Sequence, residues 1–216
     1  MTEDFPEDSF RAAHEIVGAE PTPPPTVQEI TDLVQSFPLD NEGKGLSEPN
    51  EEQSQQLISL LERLHLLAPP IDDEKLAVLV QSAKRSIQSG LAEEYLENRP
   101  FLSRGPENAQ PLAIIESKLP IYIDPNQIRG ANSFSSWMGR GYKGRETVAN
   151  GDIKQTSLEK IFDFARKQTP LPEANLVVYV TDGAEPVVIA EDSHRVAAAK
   201  LRNEPVRVGQ LSFYKY

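Results

Sequence analysis

Five consecutive residues, Glu191 to Arg195, bring together several kinds of side chain that can do chemistry. They read Glu-Asp-Ser-His-Arg and supply two carboxylates, a hydroxyl, an imidazole and a guanidinium. His194 is a candidate general acid or base, because an imidazole changes its charge near neutral pH. Arg195 is a candidate bidentate clamp for a phosphate group. The alternatives are a packed histidine that donates to a backbone carbonyl and an arginine in a surface ion pair.

The residues on either side predict how this stretch is held. Val187, Val188 and Ile189 favour a strand, and the alanine-rich segment 196–201 favours a helix. We expect Ser193 to cap that helix and to contact a phosphate. It is a poorer candidate for a nucleophile, because no second histidine stands near it to activate it. The free N–H groups and the positive dipole end of a helix start favour an anion.

Three acidic residues are candidates for catalytic carboxylates, namely Asp124, Glu191 and Asp192. Magnesium prefers a few carboxylates together with phosphate oxygens, so Asp124 and Glu191 are the candidate ligands for Mg²⁺. In this hypothesis one or both carboxylates hold the ion beside a bound phosphate, and His194 moves a proton.

The segment 132–152 is rich in glycine and in positive charge. It contains Gly139, Gly141 and Gly144 together with Arg140, Lys143 and Arg145. A flexible basic loop can wrap phosphates, although this one matches no Walker pattern. We expect it to be mobile without a ligand and to close over bound phosphates, since ordering a glycine-rich backbone costs entropy. The alternatives are a solvated loop and a structural clasp that pairs with acidic residues of the helical half.

The pattern of two hydrophobic residues, an acidic turn, His-Arg and an alanine pair resembles the signature of the ParB/sulfiredoxin superfamily. It is carried here by residues 191–195 together with Ala197 and Ala198. Segment 207–214 stands where that family has a strand after the helix, and segment 119–129 resembles its opening strand and loop. The resemblance covers residues 113–216.

This resemblance implies a nucleotide-binding domain, with ATP, ADP or CTP as the nucleotide and Mg²⁺ as the metal. The nucleotide-binding residues that it implies are Ser193, His194, Arg195, Arg129, Arg140, Lys143 and Arg145. A glycine is usual in the family where Asp192 stands. Sulfiredoxins carry their catalytic cysteine where Ser193 stands, and this sequence has no cysteine. Sulfiredoxin activity is therefore excluded.

Composition and periodicity divide the chain into an acidic, proline-rich tail, a helical subdomain, a connector and a mixed domain, at residues 1–25, 26–97, 98–112 and 113–216. Within the helical subdomain, amphipathic patterns predict helices at 26–37, 50–67 and 73–97. Thr26 and Glu29 fit a capping box at the start of the first helix, and Gly90 is a weak point in the third. In the mixed domain we expect a helix at 157–168 and two paired strands at 176–180 and 186–190. The predicted fold class is α+β, a mixed-sheet domain of the ParB/sulfiredoxin type preceded by a small helical subdomain.

The net charge of −11 is unevenly distributed. Residues 1–110 hold 21 acidic and 8 basic residues, whereas residues 111–216 hold 12 acidic and 14 basic residues. An acidic chain disfavours non-specific nucleic-acid binding, so we expect DNA not to be a stable partner. The acidic helical half is a candidate surface for a protein partner. Because the chain shows neither an apolar run that could span a membrane nor a signal-peptide pattern, we expect a cytoplasmic protein.

Two functions follow from the residues and the resemblance together. The first is a nucleotide-binding enzyme that hydrolyses or transfers a phosphoryl group, or cuts a phosphodiester, mainly by positioning and charge neutralisation. The second is a non-catalytic protein-interaction module whose nucleotide site is a switch or is vestigial. They differ in whether a divalent metal and a nucleoside triphosphate give turnover.

Overall fold

The computed structural model describes residues 23–39, 45–98, 105–131, 146–147, 153–154 and 157–216. The N-terminal part is helical, with α1 (Val27–Gln35), α2 (Glu51–Arg63), α3 (Asp73–Gln88) and α4 (Leu91–Asn98). Five strands follow, β1 (Gln110–Ile115), β2 (Tyr122–Ile123), β3 (Ile128–Ala131), β4 (Glu146–Thr147) and β5 (Ile153–Lys154). The last elements are α5 (Ser157–Arg166), β6 (Ala174–Val180), β7 (Val187–Ala190), α6 (Ser193–Arg202) and β8 (Val206–Lys215).

Side-chain caps determine where α1 and α2 begin. The hydroxyl of Thr26 accepts the N–H of Glu29 at 3.2 Å, and the Glu29 carboxylate accepts the N–H of Thr26 at 2.7 Å. This reciprocal pair is the predicted capping box, which is confirmed. Asn50 and Gln53 make the same arrangement at the start of α2, with distances of 2.9 and 3.0 Å. Each box satisfies N–H groups that have no partner inside the helix.

The single helix predicted at 73–97 is wrong, because the chain turns at Gly90. Helix α3 ends at Gln88 and α4 begins at Leu91. Gly90 has a φ of +80°, a left-handed conformation that glycine adopts without the steric cost met by other residues. Its N–H donates to the carbonyl of Ile87 at 3.3 Å, which closes the end of α3. Helix α2 is also shorter than predicted, and ends at Arg63.

Six strands form one mixed sheet in which β8 has neighbours on both sides. The order is β1-β8-β6-β7-β3, and β2 also pairs with β8. Strand β8 runs antiparallel to β1 and β2 and parallel to β6, whereas β7 is antiparallel to β6 and parallel to β3. The pairing of β6 with β7 confirms the two strands predicted at 176–180 and 186–190. Strands β4 and β5 form a separate two-stranded sheet.

Strand β1 begins in the segment that the sequence predicts as a connector. Pro111 has no backbone N–H to donate, which argues against a strand in the middle of a sheet. The proline is tolerated because β1 lies at the edge of the sheet and its register with β8 shifts between Pro111 and Ala113. The predicted connector 98–112 is therefore wrong over its last three residues.

One hydrophobic core joins the N-terminal helices to the sheet. Leu57 of α2 and Phe213 of β8 belong to the same buried cluster, and both are 0% exposed. Helix α3 packs against both α5 and α6. A polar contact joins the two halves as well, since the Asp182 carboxylate accepts the N–H of Val27 at 3.0 Å. The helices at 26–97 thus share their core with the mixed domain.

The described chain is a mixed α+β fold, as the sequence predicts. Within the described ranges, each helix is too short or too polar to cross a membrane. The basic residues of the predicted lid, 139–145, lie outside the described residues. Their predicted mobility and closure therefore stay a prediction.

Candidate functional site

A pocket of about 300 Å³ opens where β7 turns into α6. It is lined by Phe164 of α5 and by residues 191–195. The sequence predicts a strand, a turn and a helix here, and β7 and α6 confirm that order. The predicted site residues from Glu191 to Arg195 therefore share one depression on the surface.

Strand β3 ends beside this pocket. It runs parallel to β7, and Ala131 lies opposite Ala190 in the register. Parallel strands end at the same edge of a sheet, which is where ligands commonly bind in α/β sheets. Ala131, the last described residue of this stretch, therefore lies next to the turn at 191–192. Three predicted phosphate contacts follow it in the sequence, Arg140, Lys143 and Arg145, which lie outside the described residues.

Asp192 occupies the N-cap position of α6, so the predicted Ser193 cap is wrong. Ser193 is the first residue of the helix, and its N–H donates to the carbonyl of Glu191 at 3.2 Å. The Asp192 carboxylate makes no capping hydrogen bond to α6. It accepts the N–H of Asn175 in β6 at 3.2 Å instead. The Asp192 side chain therefore does not cap α6, but links the start of this helix to β6.

The start of α6 keeps two backbone donors for a ligand. The first hydrogen bond of the helix runs from the N–H of Val196 to the carbonyl of Asp192, at 3.2 Å. The N–H groups of His194 and Arg195 have no acceptor among the residues that the structure describes. Free N–H groups at the positive end of a helix dipole favour an anion.

Arg195 is held by the protein on one side. Its Nη1 donates to the carbonyl of Glu173 at 2.6 Å and lies 3.4 Å from Asp192 Oδ2. The side chain remains 37% exposed, so part of the guanidinium is accessible from solvent. A phosphate would meet an arginine whose charge Asp192 partly neutralises, which weakens the predicted clamp.

His194 is half-buried in the wall of the pocket, and its Nε2 is buried without a hydrogen-bond partner. Burial lowers the pKa of His194 below its ordinary value of 6.5, and the positive charge of Lys160 lowers it further. The Asp192 carboxylate acts in the opposite direction. The imidazole is therefore mainly neutral at neutral pH, which is the state that a general base needs.

Asp124 lies at the far end of α6. Its carboxylate accepts the N–H of Asn126 at 2.8 Å, and the Asn126 amide also reaches Asn203 Oδ1 at 3.3 Å. Asn203 follows the last residue of α6, and a helix of 10 residues is about 15 Å long. Asp124 and Glu191, the two candidate Mg²⁺ ligands, therefore lie near opposite ends of α6, and Mg²⁺ binding by either of them stays a prediction. Among the described residues, no group of three or more His, Asp or Glu side chains is placed to hold a metal ion.

Arg129 is also separated from the pocket. Its Nη2 lies 3.4 Å from Glu185 Oε2, and its side chain is 54% exposed. Glu185 precedes β7, whereas the pocket follows β7. Arg129 is therefore directed to the other end of the strand and does not join residues 191–195.

Phe164, Glu173 and Asn175 contribute to the pocket and were missed by sequence reasoning. Phe164 lines the pocket, and Lys167 Nζ lies 4.6 Å from the centroid of its ring. Glu173 and Asn175 act through backbone groups, which leave no signal in the sequence. The sequence contains one sign that Phe164 could contribute to a site, because this aromatic residue lies outside the apolar stripe of the helix predicted at 157–168.

No protein-family model, curated protein or solved structure matches this chain. The resemblance to the ParB/sulfiredoxin superfamily therefore stays a prediction, which rests on the residues of the turn and helix and on segments 119–129 and 207–214.

Proposed function

We propose that the protein binds a nucleotide phosphate at the start of α6, as a binding module that does not turn the nucleotide over. The observation that carries this proposal is the pair of free N–H groups of His194 and Arg195 at the positive end of the helix. These donors are already fixed in direction, so an anion gains their hydrogen bonds without further ordering of the chain. ATP, ADP and CTP are the candidate nucleotides, and the domain is proposed to be of the ParB/sulfiredoxin type.

Two features favour binding over turnover. Catalysis of phosphoryl transfer depends on charged groups placed around the phosphate. Asp124 lies at the other end of α6, and Arg195 already pairs with Asp192. In this proposal the nucleotide acts as a switch, and the acidic N-terminal helices are the surface that meets a protein partner.

A second candidate function is phosphoryl transfer or hydrolysis, and His194 favours it. Its ring is neutral near pH 7, and its Nε2 lies buried without a hydrogen-bond partner at the pocket. A neutral imidazole nitrogen can accept a proton from an attacking hydroxyl or water, which is the role of a general base.

Calorimetry with ATP, ADP, CTP and GTP, with and without Mg²⁺, tests the binding proposal. Arg195→Ala should weaken binding by about 1.5–3 kcal/mol, the contribution of a charged hydrogen bond. Arg129→Ala is the matched control, because it removes the same charge at the other end of β7 and should leave the affinity unchanged. The proposal fails if none of the four nucleotides binds the wild-type protein.

Measurement of phosphate release separates the two candidate functions. The binding module should release no phosphate above background with any nucleotide, with or without Mg²⁺. Release that disappears in His194→Gln, while nucleotide affinity is retained, would instead establish the second candidate.

A further inference from the structure

A buried ion pair stands at the C-terminal end of α6, far from the pocket. Arg202 Nη2 lies 2.6 Å from Glu204 Oε2, and the two side chains are 0% and 5% exposed. Burying two charges is costly unless further hydrogen bonds satisfy their remaining donors and acceptors. The partners that supply these bonds therefore indicate what the pair holds in place.

Those partners all lie between the end of α5 and the start of β6. The guanidinium of Arg202 donates twice to the carbonyl of Thr169, at 3.3 and 3.2 Å, and once to that of Phe164, at 3.5 Å. The Glu204 carboxylate accepts the N–H of Leu171 through Oε1 at 2.9 Å. The ion pair thus fastens segment 164–171 to the end of α6.

This segment and the residues that follow it also reach the pocket at the other end of α6. Phe164 is one of the residues that line the pocket. Two residues beyond Leu171, the carbonyl of Glu173 accepts Arg195 Nη1 at 2.6 Å. The chain from the end of α5 to β6 therefore runs from a pocket wall, past the buried pair, to the anchor of Arg195.

We propose that Arg202 and Glu204 are positioning residues, which set the shape of the phosphate pocket through the segment from Phe164 to Glu173. They lie outside the pocket lining, at the opposite end of α6, which is about 15 Å long, and reach the pocket only through Phe164 and the segment that follows it. This inference rests on the proposed function only for the identity of the ligand, because the shape of the pocket can be measured without one.

The test compares wild type with Arg202→Met/Glu204→Met, which removes both charges and both sets of hydrogen bonds. Leu57→Ala is the control, because Leu57 is fully buried in α2, its truncation destabilises the fold, and it makes none of the hydrogen bonds that hold this segment. Three quantities are measured on each protein: amide exchange of Leu171, the pKa of His194 by NMR titration, and the affinity for inorganic pyrophosphate by calorimetry.

In the double variant, exchange of the Leu171 amide should accelerate about tenfold or more, because its acceptor is lost. The pKa of His194 should rise towards its ordinary value as water enters the pocket. Pyrophosphate affinity should fall about tenfold, and Leu57→Ala should leave the His194 pKa and the pyrophosphate affinity unchanged. If the double variant does not fold, Glu204→Asp is measured by the same readouts, because it keeps both charges but shortens the side chain that reaches Leu171, and changes are expected in the same directions.

An unchanged His194 pKa in a folded variant overturns the proposal, because the segment would then be held by other contacts. The same shift of the His194 pKa in Leu57→Ala also overturns it, because it would show a general response to destabilisation. If wild type does not bind pyrophosphate, the proposed function fails, while amide exchange and titration still decide the positioning role.

Discussion

Replacing one member of the Arg202–Glu204 pair should destabilise the protein far more than replacing both. Each side chain is almost wholly buried, and the contact between Nη2 and Oε2 is 2.6 Å long. Glu204→Leu leaves the guanidinium in the core with the carbonyls of Phe164 and Thr169 as the partners that remain. Breaking a buried pair in this way costs about 3–5 kcal/mol, because the remaining charge is uncompensated.

The double change Arg202→Met/Glu204→Met removes both charges and so leaves no unpaired charge in the core. Burial lowers the pKa of Arg202 and raises the pKa of Glu204, so for both groups desolvation outweighs the attraction between them. The charges therefore add little net stability. The loss that remains is that of the hydrogen bonds to Leu171 and Thr169, about 1 kcal/mol each. We expect the double variant to lose about 2 kcal/mol, whereas additive single changes would lose about 6–10 kcal/mol.

Urea unfolding of wild type, both single variants and the double variant measures the four free energies of unfolding. The double-mutant cycle then gives the interaction energy between the two residues directly. A double variant that loses the sum of the single losses would refute this reasoning, because the two side chains would then stabilise the fold independently.

Two further predictions concern the pocket. Asp192→Asn should tighten pyrophosphate binding by roughly 1–2 kcal/mol, the effect of removing a unit charge about 5 Å away at an effective dielectric constant of about 40. Calorimetry checks this against Glu185→Gln, which removes a charge beyond the other end of β7, and equal or weaker binding by Asp192→Asn contradicts it. The pKa of His194 is lower in the folded protein than the 6.5 of an unperturbed histidine, so between these two pKa values the unfolded chain binds a proton more readily than the folded one. His194 therefore makes the free energy of unfolding fall as the pH drops through that range. The free energy of unfolding, measured over that range, should depend less on pH in His194→Gln than in wild type, and identical slopes would show that His194 contributes nothing.

Local signals in the sequence were sufficient to predict the start of α1 and the pairing of β6 with β7. Thr26 and Glu29 indicate a helix start because a capping box is completed within four residues. Likewise, the apolar run 176–180 and the β-branched run 187–189 predict paired strands, since buried strands need continuous apolar residues. Gly90 was recognised as a weak point in its helix, but composition alone does not show that a glycine adopts a positive φ and ends the helix.

Contacts between distant residues could not be predicted from the sequence. The Asp192 carboxylate accepts the N–H of Asn175 because β6 and β7 pair. The residues next to Asp192 in the sequence do not predict this contact. Arg202 resembles an ordinary cation in the last turn of a helix, which usually faces solvent. Its burial depends on where segment 164–171 packs. The position of Asp124 beside Asn203 likewise depends on how the chain passes the end of α6.

Because β8 pairs with three other strands, its position late in the chain affects how the protein folds during synthesis. This strand pairs with β1, β2 and β6, and it follows all of them in the chain. Since a ribosome adds about 5–20 residues per second from the N-terminus, these strands are synthesised before their shared partner. The four N-terminal helices can form early, but the sheet can close only after residues 206–215 have emerged. Until then the unpaired edge of β6 is open to other chains, so folding competes with aggregation at its last step.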